Sequence, residues 1–211
     1  MTTILIVDDH PALRLVIKTH LSQLLGVTDI IEAENGQAAV EMARQHIPDL
    51  AILDLDIPRI SGLDVIPRLK RAHPLIRVLV LSGQDPAIFA SRAMRSGAQG
   101  FVAKSQEMKE IVRGVEAVLA GYTVFPMGAG GAGMPASPDG EEDKLKLLSD
   151  KELVILQMLS RGLSNKAIGD ALFISNKTVS SHKTRIMQKL RVKSLVELID
   201  FARRCRVVPI Q

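Results

Sequence analysis

The 211-residue chain is 46% hydrophobic and carries 27 Lys/Arg against 23 Asp/Glu, which suits one large domain or two small ones. Its single cysteine, Cys205, excludes an intramolecular disulfide; it is expected as a small apolar residue at a helix end in a reducing compartment. No apolar run approaches the roughly 20 residues that span a bilayer. The N-terminal MTTILIVDDH also lacks the basic and then apolar pattern of a signal peptide, so a cytoplasmic protein with no membrane partner is expected.

Residues 1–120 alternate two patterns. Short apolar runs at 4–7, 51–53, 78–81 and 100–103, with a weaker one at 27–33, read as strands. Amphipathic segments at 12–25, 37–46, 63–72, 87–96 and 108–119 read as helices. Buried strands alternating with helices predict an α/β fold whose parallel sheet is covered on both faces, with functional groups at the carboxyl ends of its strands. From Tyr122 the pattern stops. MGAGGAGMPASPDGEED has no apolar period and no GK[ST], so it reads as a flexible linker over 122–146 and not as a phosphate-cradling loop.

The remainder is helical. Ser149-Asp150-Lys151-Glu152 is a capping box opening a helix to about Arg161, and Gly162 ends it. Ser164 caps a second helix over 165–172, a turn at 173–175 leads to a third over 176–190, and a fourth covers 194–204. Two short helices joined by a tight turn have helix-turn-helix geometry.

Charge follows this division. Residues 1–120 hold 13 Lys/Arg and 14 Asp/Glu, net −1, while the rest hold 14 and 9, net +5. The segment 174–196 contains Lys177, Lys183, Arg185, Lys189, Arg191 and Lys193 and no acid, which points to a polyanionic partner.

Strand one ends in Asp8-Asp9 and strand three ends in Asp54, within AILDLDIP. Adjacent parallel strands bring these acids together, and three carboxylates repel unless a cation joins them, which suits Mg²⁺ or Mn²⁺. Strands four and five add Ser82 and Lys104. Carboxylates, metal, hydroxyl and ammonium at one sheet edge suit phosphoryl transfer to a carboxylate.

The set Asp8-Asp9, Asp54 with Pro58 and Gly62, Ser82, and Phe101 with Lys104 resembles the receiver domain of two-component response regulators, over residues 1–121. That resemblance implies a flavodoxin-like, doubly wound, five-stranded parallel sheet of order 2-1-3-4-5. It implies that Asp54 accepts a phosphoryl group from a sensor histidine kinase, and that Asp8, Asp9, Asp54 and the main-chain oxygen of Asp56 hold Mg²⁺. Lys104 would pair with the phosphoryl group, Ser82 would turn to bond it, and Phe101 would change rotamer. Two departures, Ile57 for a frequent Met and Gly83 for a frequent Ala, touch no proposed ligand.

Leu148-Ser149-Asp150-Lys151-Glu152, Gly162-Leu163-Ser164-Asn165-Lys166-Ala167-Ile168, Ile174-Ser175-Asn176-Lys177-Thr178-Val179, His182 and Lys189-Leu190 resemble the LuxR-type helix-turn-helix, expected here as an all-α four-helix domain over 147–211. Together the halves resemble the NarL/FixJ class of response regulators, its BvgA-like branch in particular. On the third helix Val179, Ile186 and Leu190 recur at core spacing. Lys177, Thr178, Ser180, Ser181, Lys183 and Thr184 form a polar face for the major groove of double-stranded DNA, with His182 a candidate for phosphate. No aromatic platform favours RNA or single strands. On the fourth helix Val196 and Ile199 are candidates for pairing with a second copy, which predicts a homodimer on an inverted repeat.

Two other readings remain at this stage. Asp54-Leu55-Asp56 matches the DxD of haloacid-dehalogenase-type phosphatases, but Pro58 stands where that family has Thr or Val, and its DxD lies on the first strand. A DNA-binding regulator independent of phosphorylation would not need the intact acid set. A transcription regulator that is not an enzyme is the leading expectation.

Overall fold

Short apolar runs make up the central strands of the sheet. The strands are β1 (Thr2–Val7), β2 (Val27–Ala33), β3 (Leu50–Leu53), β4 (Arg77–Ser82) and β5 (Gly100–Ala103). Strand β2, at the sheet edge, keeps polar residues exposed. The computed structural model describes residues 1–127, 144–145, 147–205 and 207, and the chain divides into two units, Met1–Gly131 and Ala132–Gln211. In the first, all strands are parallel and lie in the expected order β2-β1-β3-β4-β5. The five helices between and after them are α1 (Pro11–Leu21), α2 (Gly36–His46), α3 (Gly62–Ala72), α4 (Pro86–Arg95) and α5 (Met108–Leu119).

The two faces of the sheet bury different helices. Ile4, Ile6, Leu50, Ile52, Leu79, Leu81 and Val102 pack with Ile17 and Leu21 of α1 and Ile111, Val115 and Val118 of α5. The alternate strand residues Leu5, Val7, Ala51, Leu53, Val78 and Val80 are equally buried, and α2, α3 and α4 supply Ala39, Ala43, Val65, Ile66, Leu69, Phe89 and Ala93 to the core. Alternation of side chains along each strand makes this two-faced core.

Element boundaries differ from the expectations mainly at ends set by local geometry. Helix α1 stops at Leu21 and not at residue 25: after the Ser22 N–H bonds the Lys18 carbonyl, the Gln23 and Leu24 N–H groups reach only three residues back, to His20 and Leu21, and Gly26 turns the chain at φ 91°. Asn35 and Asp85 cap α2 and α4 through their side chains. At the start of the expected linker, the chain stays against the sheet. The Val124 N–H donates to the Gln99 carbonyl (3.0 Å), and the Phe101 N–H donates to the Val124 carbonyl (2.7 Å). The chain beyond Gly121 thus continues along the free edge of β5, where unpaired main-chain groups would otherwise face water. Most of the expected linker, residues 128–143 and 146, lies outside the described residues, as do 206 and 208–211.

The second unit contains α6 (Asp150–Ser160), α7 (Asn165–Leu172), α8 (Asn176–Leu190) and α9 (Leu195–Arg204). Each opens on a serine whose hydroxyl accepts a main-chain N–H from the first turn: Ser149, Ser164, Ser175 and Ser194. Leu153, Leu156, Leu159, Ile168, Val179, Ile186, Leu190, Leu198, Phe201 and Ala202 are buried. Cys205 is buried just past α9, as expected of a small apolar residue.

The turn between α7 and α8 is tight. A Cβ on Gly169 would lie 2.7 Å from the Ile174 carbonyl oxygen, so only glycine lets the chain fold back so closely. At the same turn Phe173 sits in the left-handed region (φ 54°) with its side chain 72% exposed. An L-residue with a bulky side chain is strained there and gains little from burial. Phe173→Gly is therefore expected to stabilise the full-length protein by about 0.5–1 kcal/mol against urea, seen as a higher transition midpoint for the second unit.

Candidate functional site

Strand register delivers the acids to one edge. Val7 pairs with Leu53 across β1 and β3, so the residues that follow, Asp8 and Asp54, emerge side by side. The Asp54 N–H bonds the Val7 carbonyl at 2.9 Å, and the Lys104 N–H bonds the Ser82 carbonyl at 2.9 Å. Asp8, Asp54, Ser82 and Lys104 therefore all lie at the carboxyl ends of parallel strands, where such sheets form sites.

Lys104 ties the acids together. Its Nζ is 2.6 Å from Asp8 Oδ2 and 2.8 Å from Asp54 Oδ2. Both carboxylates are 2% exposed, and Asp54 Oδ1 is buried without a hydrogen-bond partner. Burial pushes the Asp54 carboxyl above its ordinary value of 3.8, against the pull of the Lys104 ammonium, and Asp8 adds to the rise. Burial alone would lower the Lys104 value, but Asp54 and Asp8 hold it above its ordinary 10.5. Ser82 is fully buried and its Oγ accepts the Gln84 N–H at 3.2 Å. Phe101 is buried on the neighbouring strand β5. The loop carrying Asp56 is held against Gly62: a Cβ there would meet Leu55 Cα at 2.4 Å and the Asp54 carbonyl oxygen at 2.6 Å.

Asp9 is more exposed and faces His10, whose Nδ1 is 2.8 Å from Asp9 Oδ1 and 3.1 Å from Asp8 Oδ1. Asp8, Asp9 and His10 place one ligand atom each within 4.8 Å of one another. Sequence reasoning missed His10 here, and also Arg14. The Arg14 Nη1 donates to the Asp8 carbonyl at 2.7 Å, while its Nε bonds Glu32 Oε2 at 3.1 Å. A basic residue one turn into the helix after paired acids was the only available signal.

In the second unit Lys177, Thr178, Ser180, Ser181 and Thr184 are exposed on α8, and Lys183 is half-buried. Lys189 belongs elsewhere, since its Nζ lies 2.6 Å from Glu152 Oε2. The same oxygen accepts the Ser149 N–H at 2.8 Å, which ties the start of α6 to the end of α8. Burial would raise the Glu152 carboxyl, but the Lys189 and Ser149 bonds hold it below its ordinary 4.5. His182 also turns inward. Its Nδ1 is buried without a partner, and it lies near Glu152 and Lys151 of α6, with burial lowering its value below 6.5. Its expected role on phosphate is therefore not favoured by its placement. On α9, Val196 is 69% exposed while Ile199 is half-buried.

Comparison with known proteins follows the same division. Residues 4–116 match the response regulator receiver domain, and residues 146–202 match the luxR family of bacterial regulatory proteins. This chain is a response regulator of the NarL/FixJ type. A Pseudomonas aeruginosa relative described as a putative transcriptional regulator is 50% identical, over 99% of this chain and 100% of its own length. The Bordetella pertussis virulence regulator BvgA is 46% identical, over 95% of this chain and 96% of its own. Among solved structures, the Salmonella typhimurium RcsB response regulator superposes with a TM-score of 0.76 at 25% identity, covering 97% of this chain and 98% of that one. A complex of RcsB with DNA gives 0.72 at 25% identity over 95% and 97%. The response regulator is thus a transcription regulator and not an enzyme, which ends the phosphatase reading of its DxD. Among its described residues no helix is long and apolar enough to cross a membrane.

The raised Asp54 value has a direct consequence for stability. An acid whose value is raised by folding adds stability below its unfolded value and loses it as pH rises through the folded one. Asparagine at 54 does not titrate. The difference in melting temperature between Asp54→Asn and the parent should therefore shift in favour of the variant as pH is raised from about 4 to 8, and thermal denaturation across that range checks it.

Proposed function

We propose that Asp54 is the phosphoacceptor of this response regulator and that its phosphorylation by a sensor histidine kinase controls DNA binding. The observation that carries this reading is the buried, unpartnered Oδ1 of Asp54, held beside Asp8 by Lys104. That oxygen keeps its lone pairs while Oδ2 is engaged, so it is placed to form a bond to phosphorus as the bond from phosphorus to the kinase imidazole breaks. The electron pair of the broken bond leaves with the imidazole nitrogen.

The donor set fits a divalent cation of hard character. Asp8, Asp9, Asp54 and the main-chain oxygen of Asp56 would hold Mg²⁺ (or Mn²⁺), all through oxygen. Bound there, the ion would supply positive charge to the carboxylates and to the transferring oxygens. Lys104 would then move from the Asp54 carboxylate to the phosphoryl group. Ser82, now bonded by Gln84, would rotate to donate to that group, and the buried Phe101 ring would follow. The result is a biased two-state receiver, which alters dimerisation.

In the second unit, α8 enters the major groove of double-stranded DNA. Lys177, Thr178, Ser180, Ser181, Lys183 and Thr184 supply its contacts, and the lysines mainly meet phosphate. Exposed Val196 with Ile199 pairs two copies across an inverted repeat. A regulator of chromosomal DNA acts in the cytoplasm. The acid set, too costly to bury without a use, disfavours a regulator that ignores phosphorylation.

With acetyl phosphate and Mg²⁺, the parent should form an acylphosphate and gain DNA affinity. Asp54→Asn should do neither, and Asp56→Asn, which keeps its main-chain oxygen, should label at a reduced level. An unlabelled parent would refute the assignment. For DNA, replacing Lys177 and Lys183 together with alanine should flatten the plot of log affinity against log salt by about 2 in slope. In footprints on the same inverted repeat, Val196→Asp should protect one half-site at concentrations where the parent protects both.

A further inference from the structure

The hydroxyl groups on the outer face of α8 are not equivalent. Ser181 Oγ lies 3.1 Å from the Lys177 carbonyl oxygen, and Thr184 Oγ1 lies 3.1 Å from the Ser180 carbonyl oxygen. A carbonyl cannot donate, so the hydroxyl hydrogen must lie in each of these contacts. A hydroxyl has one hydrogen and two lone pairs. Bonding to the carbonyl four residues back, a common habit of helical Ser and Thr, therefore leaves only acceptor capacity pointing outward. Thr178 is different: its Oγ1 pairs with Ser175 Oγ at 2.8 Å and belongs to the helix cap.

Ser181 and Thr184 are both exposed and three residues apart, so they share one side of the helix. They are separated by about 4.5 Å along its axis, close to the roughly 3.4 Å rise per base pair along the duplex axis. They can thus address neighbouring base pairs. In the major groove adenine and cytosine each present an amino donor, at N6 and N4. Thymine and guanine present oxygen acceptors in the corresponding place, at O4 and O6. An acceptor-only side chain attracts the first pair and repels the second.

We propose that Ser181 and Thr184 select amino bases, adenine or cytosine, over keto bases, guanine or thymine, at two neighbouring positions on the strand they approach. The proposal rests on the reading of α8 as the groove-entering helix. It adds the polarity of the contact, which the residue types alone do not give, because a free hydroxyl reads either kind of base.

The test is selection from a random duplex library by the full-length chain treated with acetyl phosphate and Mg²⁺. Ser181→Ala and Thr184→Val remove the acceptors, and Ser181→Thr and Thr184→Ser keep them. Two neighbouring positions degenerate between adenine and cytosine are expected for the parent and for the hydroxyl-keeping variants. Each hydroxyl-free variant should flatten one of the two. In the selected duplex, replacing the read adenine by purine, which lacks the amino group, should weaken parent binding roughly fivefold. It should weaken the matching hydroxyl-free variant no further. Parent binding unchanged on removal of the exocyclic amino group, on either strand, at the positions that respond to these variants would overturn the proposal, as would a parental sequence preference that neither variant changes while the Lys177/Lys183 double variant still weakens binding. A library with no enriched sequence would instead overturn the DNA-reading role of α8, and this proposal with it.

Discussion

One ammonium shared by two buried carboxylates is the constraint on which the receiver half depends. Lys104 reaches Asp8 and Asp54 at once, from the end of a strand two places away in the sheet from the one that leads to Asp54. Without that charge the two acids would repel in a poorly hydrated edge. With it, Asp54 keeps one oxygen engaged and one without a partner, and its carboxyl stays above the ordinary range because a single ammonium only partly offsets burial. Two carboxylates share one ammonium, and in the proposed chemistry a metal ion would offset the remaining negative charge that otherwise opposes an incoming phosphoryl group.

The backbone holds this arrangement in position. Parallel register sets Asp8 and Asp54 level with each other, and Gly62 allows helix α3 to start against the main chain of Asp54 and Leu55. A side chain at 62 would push away the loop that carries Asp56. On the far strand, the backbone of Phe101 bonds Val124, so the strand carrying the buried aromatic ring also anchors the chain as it leaves the receiver.

The DNA-binding half depends on polar ties of another kind. Four serine caps define where its helices begin, and Glu152 joins the first of them to the end of the recognition helix through Lys189. That pairing takes one lysine out of the basic face, and the inward turn of His182 removes a second candidate. The outward face is left with two lysines and a row of short hydroxyls. In the proposed contact, affinity would rest mainly on phosphate charge and discrimination on how each hydroxyl hydrogen is already engaged.

Much of this was legible in the residues because local rules act over short distances. Five apolar runs separated by amphipathic segments, the capping serines Ser149 and Ser164, and acids just past strand ends all follow from periodicity and capping. The residue types at Asp8, Asp54, Ser82 and Lys104, in that order, carried the family resemblance. Tertiary structure decided which partner each charged group takes, since partners 37 and 50 residues apart, Glu152 with Lys189 and Asp54 with Lys104, are brought together only by packing. It also decided that Val124 pairs with β5 instead of entering the linker, because an open strand edge exists only once the sheet has formed. Sequence by itself determined the elements, the chemistry available and the family; the fold determined which groups are compensated and which, like Asp54 Oδ1, are left without a partner, because compensation is a matter of distance in space.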